Sequence, residues 1–205
     1  MRWLKVCLPL AAPTKADFSK TTLTTSGSPS SVGQPVTFTA MVTPNDSHIP
    51  DGEQVMFYDG TTTLGSVPLT GGVASYTTSS LTAKSHYIQA IYGGDPVILP
   101  STGHLRQVVN KFPTTTALNS TPNPASYGQP VTFTATVTPT GPYPLTGKVV
   151  FKDGTLGIGS GTLSGGVATL TKTRLAPGTH PITVQYLGDA ASANSTSSVL
   201  DQVVQ

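Results

Sequence analysis

The chain has 205 residues, a formal net charge of +2 and only 10% charged residues, whereas Ser and Thr make up about a quarter of it. Its excess positive charge lies in residues 1–17, so neither of the near-neutral segments that follow offers the Lys and Arg cluster that nucleic-acid binding requires. No apolar run reaches the 18–20 residues that span a bilayer, and the single cysteine, Cys7, excludes an intrachain disulfide framework.

Residues 1–17 form the first segment of the chain. Two basic residues, Arg2 and Lys5, precede a short apolar run that Pro9 interrupts. The triplet Thr14-Lys15-Ala16 is a poor cleavage site for a signal peptidase. We interpret the segment as a tail or a poor signal peptide.

The rest of the chain is a duplication. Residues 31–40 recur as residues 126–135, 95 positions later, and further matches continue to the end of each copy. This period is too long for a solenoid repeat and equals the size of a small domain. The sequence therefore predicts two domains, residues 18–110 and residues 111–205.

Alternation of apolar and hydroxyl-bearing residues marks the strands within each copy. In residues 131–138, Val, Phe, Ala and Val alternate with four Thr, as expected for antiparallel strands with one buried and one wet face. Asp-Gly and Gly-Gly pairs separate consecutive strands as tight turns. The predicted strands cover residues 21–26, 35–43, 53–59, 62–69, 73–79, 86–93 and 103–109, and residues 115–120, 130–138, 147–153, 156–163, 167–173, 180–187 and 196–204.

Seven short alternating strands in about 90 residues are typical of an immunoglobulin-like β-sandwich. No segment has helical periodicity, so we predict an all-β chain of two tandem sandwiches. The first predicted core contains Val36, Phe38, Ala40, Val42, Val55, Phe57, Leu69, Ala74, Tyr76, Leu81, Ile88, Ala90 and Tyr92. The second contains Val131, Phe133, Ala135, Val137, Val149, Phe151, Leu163, Ala168, Leu170, Leu175, Ile182, Val184 and Tyr186.

Four sequence segments resemble a known family. They are Gly-Gln-Pro-Val-Thr-Phe-Thr-Ala and Phe-x-Asp-Gly in both copies, Leu-x-Pro-Gly-x-His-x-Ile at 175–182, and Tyr-x-Gly-Asp in both copies. Together they are similar to bacterial immunoglobulin-like repeat domains of the group 3 type. The resemblance covers about residues 18–205, although the first copy lacks Pro-Gly at 81–86. It implies the sandwich fold and a secreted or surface-attached bacterial protein, and it implies no catalytic residue.

Four aspartates are candidate calcium ligands, since calcium binds hard oxygen ligands. Asp95 and Asp189 follow a glycine at a strand end, and Asp59 and Asp153 could join them. The alternative, which we favour, is that all four shape turns by accepting backbone N–H groups. We therefore expect no metal site and no cofactor.

A histidine and a tyrosine also recur in both copies. His86 and His180 could be metal ligands, but the domains lack Cys and further recurring ligands, so we expect each to pack near a turn. Tyr92 and Tyr186 could stack on a sugar. We expect instead that each ring packs at the edge of the core and its hydroxyl group bonds to the backbone.

The sequence offers no catalytic residues. No Gly-x-Ser-x-Gly motif lies between a strand and a helix, so the context of a nucleophilic serine is lacking. Glu53 is the single glutamate, and no pair of aspartates recurs with neighbours suited to glycoside hydrolysis. We expect that the chain is not an enzyme.

These observations favour a structural or adhesive role at the bacterial cell surface or outside the cell. The chain would serve as a spacer or as a weak binding surface for surface proteins, matrix proteins or glycans, next to neighbouring immunoglobulin-like repeats. We expect a monomer. The alternative is a carbohydrate-binding accessory module of a secreted polysaccharide-degrading enzyme, which needs exposed coplanar aromatic side chains.

Overall fold

The computed structural model describes residues 16–205. Most of the predicted tail, residues 1–15, therefore lies outside the described residues. The chain divides into two compact units, whose main boundary falls after Val108. We call the strands up to Asn110 the first domain, because the last strand of its sheets ends there, and the strands that follow the second domain.

Eight strands form the first domain, in two sheets. They are β1 Ser19–Thr25, β2 Ser30–Ser31, β3 Val36–Pro44, β4 Gln54–Asp59, β5 Thr62–Pro68, β6 Val73–Thr78, β7 Ser85–Tyr92 and β8 Ser101–Asn110. One sheet has the order β1-β3-β6, and the other has the order β2-β8-β7-β4-β5. Apart from the two-residue β2, these are the seven predicted strands.

Eight strands also form the second domain. They are β9 Thr114–Thr121, β10 Val131–Pro139, β11 Lys148–Asp153, β12 Leu156–Thr162, β13 Val167–Lys172, β14 Gly178–Tyr186, β15 Ser195–Thr196 and β16 Leu200–Val204. The sheet β13-β10-β9 lies in the same order as its counterpart, and the second sheet runs β12-β11-β14 with β15 and β16 both paired to β14. The predicted last strand, 196–204, is thus interrupted after Thr196.

Paired hydroxyl groups cover the wet face of the smaller sheet in each domain. Thr37 and Thr77 lie opposite each other on β3 and β6, and their hydroxyl oxygens are 2.8 Å apart. Thr132 and Thr171 repeat this pair at 3.1 Å on β10 and β13. β-Branched threonine suits the pleated surface, and cross-strand hydroxyl pairs stabilise it. Such pairs explain how these domains present a polar surface with few charges.

The predicted core is buried, with one exception at the same place in each domain. Tyr76 and Leu170 are only half-buried, and each covers a glycine on the edge strand of the facing sheet. A Cβ atom added to Gly65 would lie 2.9 Å from the Tyr76 ring, and one added to Gly159 would lie 2.7 Å from Leu170. Both side chains therefore cover the edge of the core.

The start of each domain is fixed by a different chemistry. The backbone of Asp17 bonds to Val97 and Leu99, and that of Phe112 bonds to the corresponding residues of the second domain. The carboxylate of Asp17 accepts hydrogen bonds from the Asp46 and Ser47 amides, and these contacts with Ser47 and Asp46 lower its pKa. Phe112 instead packs on the ring of Tyr143, with centroids 5.9 Å apart. Residues at one equivalent position thus hold a loop in both domains. Asp17 holds the β3–β4 loop through its carboxylate, and Phe112 holds the β10–β11 loop by aromatic packing.

In each domain, a fully buried glutamine on the last strand forms hydrogen bonds with residues at or just after the end of the first strand. In the first domain, Gln107 Nε2 donates to the Gly27 carbonyl at 2.9 Å, and its Oε1 accepts from the Thr25 hydroxyl at 2.8 Å. Gln202 repeats the Nε2 bonds in the second domain. Its Oε1 and the hydroxyl of Ser120, which corresponds to Thr25, both lack a hydrogen-bond partner among the described residues.

Replacement Ser120→Thr is expected to stabilise the second domain. A β-branched side chain restricts χ1 and so holds the hydroxyl group toward Gln202, as Thr25 does toward Gln107. Completing one buried hydrogen bond should add about 1 kcal/mol to the free energy of unfolding. Amide hydrogen exchange, followed separately in the two domains, measures the change.

The matched control is Thr25→Ser, which should lower protection in the first domain and leave the second unchanged. Equal protection of the second domain in Ser120→Thr and wild type would contradict the interpretation.

Candidate functional site

A carboxylate and an imidazole form a pair in each domain. Asp59 ends β4 next to the turn at Gly60, and His86 lies at the start of the neighbouring β7. Their Oδ2 and Nδ1 atoms are 2.7 Å apart. Asp153 and His180 make the same contact at 2.6 Å in the second domain. The sequence analysis placed these histidines near a turn but did not predict their aspartate partners.

The signal for this pair was present in the sequence. Asp and His are separated by 27 residues in both copies, which is the length of chain from the end of β4 to the start of β7 in the first domain. Antiparallel pairing of β4 with β7 sets Asp59 opposite Ile88, so the carboxylate reaches a residue two positions away on that strand. Only the order of strands within the sheet brings the two side chains together.

Both ring nitrogens of His180 face acceptors. Nδ1 bonds to Asp153, and Nε2 is 2.8 Å from the carbonyl oxygen of Ala176. A neutral imidazole has one N–H, so only the imidazolium form donates to both oxygens. The Ala176 carbonyl and then the Asp153 carboxylate raise the pKa of His180, against the lowering effect of burial. In its protonated form the histidine therefore joins the β13–β14 turn to the end of β11 through two hydrogen bonds.

Four hydrogen bonds surround the carboxylate of Asp189. Oδ1 accepts from the amides of Ala191 and Ser192 at 2.9 and 2.7 Å, and Oδ2 accepts from the amide and hydroxyl groups of Thr146 at 3.0 Å each. Burial by itself raises the pKa of Asp189, but the bonds from Thr146, Ser192 and Ala191 outweigh burial and hold the pKa well below its ordinary value. Asp95 accepts from Val97 and Ile98 in the same type of turn.

The candidate calcium ligands do not come together in one site. Asp59 lies opposite Ile88 at the start of β7, whereas Asp95 follows the end of that strand. At about 3.3 Å per residue, the two carboxylates are separated by roughly 20 Å. Within residues 16–205, no three His, Cys, Asp or Glu side chains are grouped to hold a metal ion. The structure thus does not bring Asp59 to Asp95, and the absence of metal binding stays a prediction.

The recurring tyrosines are buried and cannot stack on a sugar. Tyr92 and Tyr186 are 1% and 0% exposed. The Tyr186 hydroxyl donates to the Thr146 carbonyl at 2.8 Å, which is the backbone bond that the sequence analysis expects. The Tyr92 hydroxyl instead donates to the carboxylate of Glu53 at 2.5 Å. Burial, followed by the charge of Asp189, raises the pKa of Tyr186 to about 12, and burial and Glu53 raise the pKa of Tyr92.

The polar groups that recur in both domains therefore stabilise the fold. The Asp–His pairs and the Asp turns lie at opposite ends of β7 and of β14, and each closes a connection between strands. In residues 16–205 there is also no helix long and apolar enough to cross a membrane.

Comparisons with known proteins agree with this architecture. The family model "Bacterial Ig-like domain (group 3)" matches residues 23–110 and again residues 118–205. No curated protein matches the chain.

Solved structures similar to this chain include bacterial modules and adhesins. The fibronectin(III)-like modules of Clostridium thermocellum CbhA are 17% identical, with 89% of this chain and 94% of that chain covered and a TM-score of 0.38. The Yersinia pseudotuberculosis adhesin InvE is 13% identical over 90% of this chain and 58% of that chain, with a TM-score of 0.43. The Escherichia coli adhesin FdeC is 15% identical over 90% and 64%, with a TM-score of 0.35.

The protonated form of His180 is expected to contribute stability to the second domain at acidic pH. Its pKa is raised in the folded chain, so its contribution is fully present below the unfolded value of about 6.5 and is lost as the pH rises through the folded value. Replacement His180→Gln should therefore lower protection from hydrogen exchange in β14 more at about pH 5.5 than at about pH 9, after correction for intrinsic exchange rates.

His48→Gln, a change of an exposed histidine in the first domain, is the control and should leave β14 unchanged at both pH values. A deficit in His180→Gln that is independent of pH would show that His180 is neutral.

The two turn aspartates should differ in their contribution to stability. Asp189→Ala removes four hydrogen bonds to a charged group and should lower the free energy of unfolding of the second domain by about 2 kcal/mol. Asp95→Ala removes two bonds and should cost the first domain less. Chemical denaturation followed by circular dichroism measures both. An equal or larger loss in Asp95→Ala would contradict the assignment.

Proposed function

Because this chain belongs to the bacterial Ig-like domain (group 3) family, we propose that it is a non-enzymatic structural and adhesive segment of a bacterial protein. The protein is secreted or attached to the cell surface, so these domains lie outside the cell. The segment acts as a spacer and as a weak binding surface, and the chain itself is a monomer. Surface proteins, matrix proteins and glycans are the proposed partner classes.

One observation carries this proposal. The polar groups that both domains share, Asp59 with His86, Asp153 with His180, and the aspartate of each Tyr-x-Gly-Asp turn, all have partners within their own domain. A duplicated enzyme would be expected to repeat a group that is available to substrate. What is duplicated here is the means of holding a sandwich together, which suits a protein that is used for its mechanical form.

Duplication also suits adhesion through weak contacts. When two modules are linked, the second contact forms at the effective concentration set by the linker, so the combined affinity exceeds that of either module. A surface that carries many copies gains further from the same effect. Weak binding of a single chain and strong binding of a cluster are therefore expected of this function.

The experiment uses the whole chain in two forms, as a free monomer and coupled at high density to beads. Beads should bind at least one matrix protein or glycan on an array, whereas the free chain should bind it weakly or not at all. Single-molecule stretching of the chain should show two separate unfolding events, each releasing about 30 nm for a domain of about 90 residues.

Beads that bind nothing would contradict the adhesive role. A single unfolding event of twice this length would contradict the role of two independent mechanical units. Analytical ultracentrifugation tests the monomer.

A further inference from the structure

One surface of the first domain has no counterpart in the second. It is the outward face of the larger sheet where β4, β7 and β8 lie side by side. Tyr87 on β7 lies opposite Arg106 on β8. In the adjacent row, Gln89 on β7 lies between Tyr58 of β4 and His104 of β8. We call these five residues the cationic face.

The cationic face presents an aromatic platform of two tilted rings. The side chain of Tyr87 is 47% exposed, although it stands in the middle of a sheet. Its ring centroid lies 5.5 Å from that of His104, and the two ring planes differ by 32°. Two rings so arranged form a continuous apolar surface, which the C–H groups of a pyranose ring can cover.

A positive charge borders this platform. Arg106 is exposed and makes no ion pair within residues 16–205. The acidic side chains of residues 18–110 lie in loops or at strand ends, where most are already engaged: Asp51 accepts from the Gly71 amide, Glu53 from Tyr92, and Asp59 bonds to His86. The guanidinium group therefore lies on a face without carboxylates, and its complement is an anion from outside the domain.

The fold does not require these side chains. The positions of the second domain that correspond to the cationic face carry Lys152, Pro181, Thr183, Val199 and Asp201. Asp201 reverses the charge of Arg106, and Pro181 replaces the aromatic ring of Tyr87, while the neighbouring His and Gln residues of the core are retained. Two copies of one scaffold thus tolerate different surfaces here, so the fold leaves these positions free for binding.

We propose that the cationic face of the first domain binds an anionic polysaccharide. A sugar ring stacks on Tyr87 and His104, and a sugar carboxylate accepts hydrogen bonds from the guanidinium group of Arg106. A peptide fits this face less well, because an extended peptide gains its affinity by adding to a sheet edge, whereas β7 is paired on both sides. The proposal rests on the adhesive function above and names one partner class for it.

The test uses the full chain and soluble polygalacturonate, whose sugar units carry carboxylates, in affinity gel electrophoresis. Neutral dextran and poly-glutamate are the comparison polymers. Polygalacturonate should retard the wild type, less so at high salt because exposed charges are screened, and the comparison polymers should retard it little. Tyr87→Ala and Arg106→Asp should each weaken retardation about tenfold.

Arg106→Asp is a mild change for the fold, because the second domain has aspartate at this position. Its matched control is Arg174→Asp, which makes the same charge change at an exposed residue of the second domain and should retain full binding. Thermal melting of each variant separates lost binding from lost folding.

Three results would overturn the proposal. They are no retardation of the wild type by polygalacturonate, equal losses in Arg106→Asp and Arg174→Asp, and equal retardation by poly-glutamate that depends on Arg106. If coated beads still bind a matrix protein or glycan when carrying Arg106→Asp, the adhesive function stands and only this site fails. If polygalacturonate is bound but no array ligand is, the site stands and the broader range of partners fails.

Discussion

Each domain depends on strands that bury one face and wet the other. Because side chains alternate along a strand, Phe38 and Phe133 point into the core while the threonines beside them face water. In the second domain, Phe133 meets Phe151 of the opposite sheet, with ring centroids 6.5 Å apart. The burial of these faces provides the main stabilisation, at about 25 cal/mol per Å² of apolar surface. The polar contacts of each domain are compatible with this burial of apolar surface.

Closing the ends of such a sandwich requires polar groups, since loops carry backbone amides and carbonyls that need partners. These domains use a small set of side chains for the purpose. Asp189 accepts hydrogen bonds from the amides of one turn, and His180 bonds to a carbonyl group at the other end of β14. Gln107 and Gln202 do the same from within the core. The chain has few charged residues, and those that recur in both domains stabilise the ends of the sandwich.

What remains free to vary is the outward face of each larger sheet. Its side chains are exposed or half-buried, so residue identity there is less constrained than in the core. Arg106 and Asp201 occupy corresponding positions with opposite charges. A duplicated scaffold can therefore carry a binding surface on one copy while the other acts as a support. This division of labour suits the structural and adhesive role that we propose for the chain.

The duplication, the strands and the core could be predicted from the sequence, because period-two alternation and turn glycines are local signals that burial of one face converts directly into structure. The sequence also identified Asp189 as a turn carboxylate, since Gly-Asp after a strand is a local pattern. The contacts between side chains far apart in the chain could not be predicted, because they depend on how the strands are arranged in space. Asp59 reaches His86 because β4 pairs with β7, and Tyr87 joins His104 and Arg106 because β7 pairs with β8. Strand order joins residues far apart in the chain, and no local pattern encodes it.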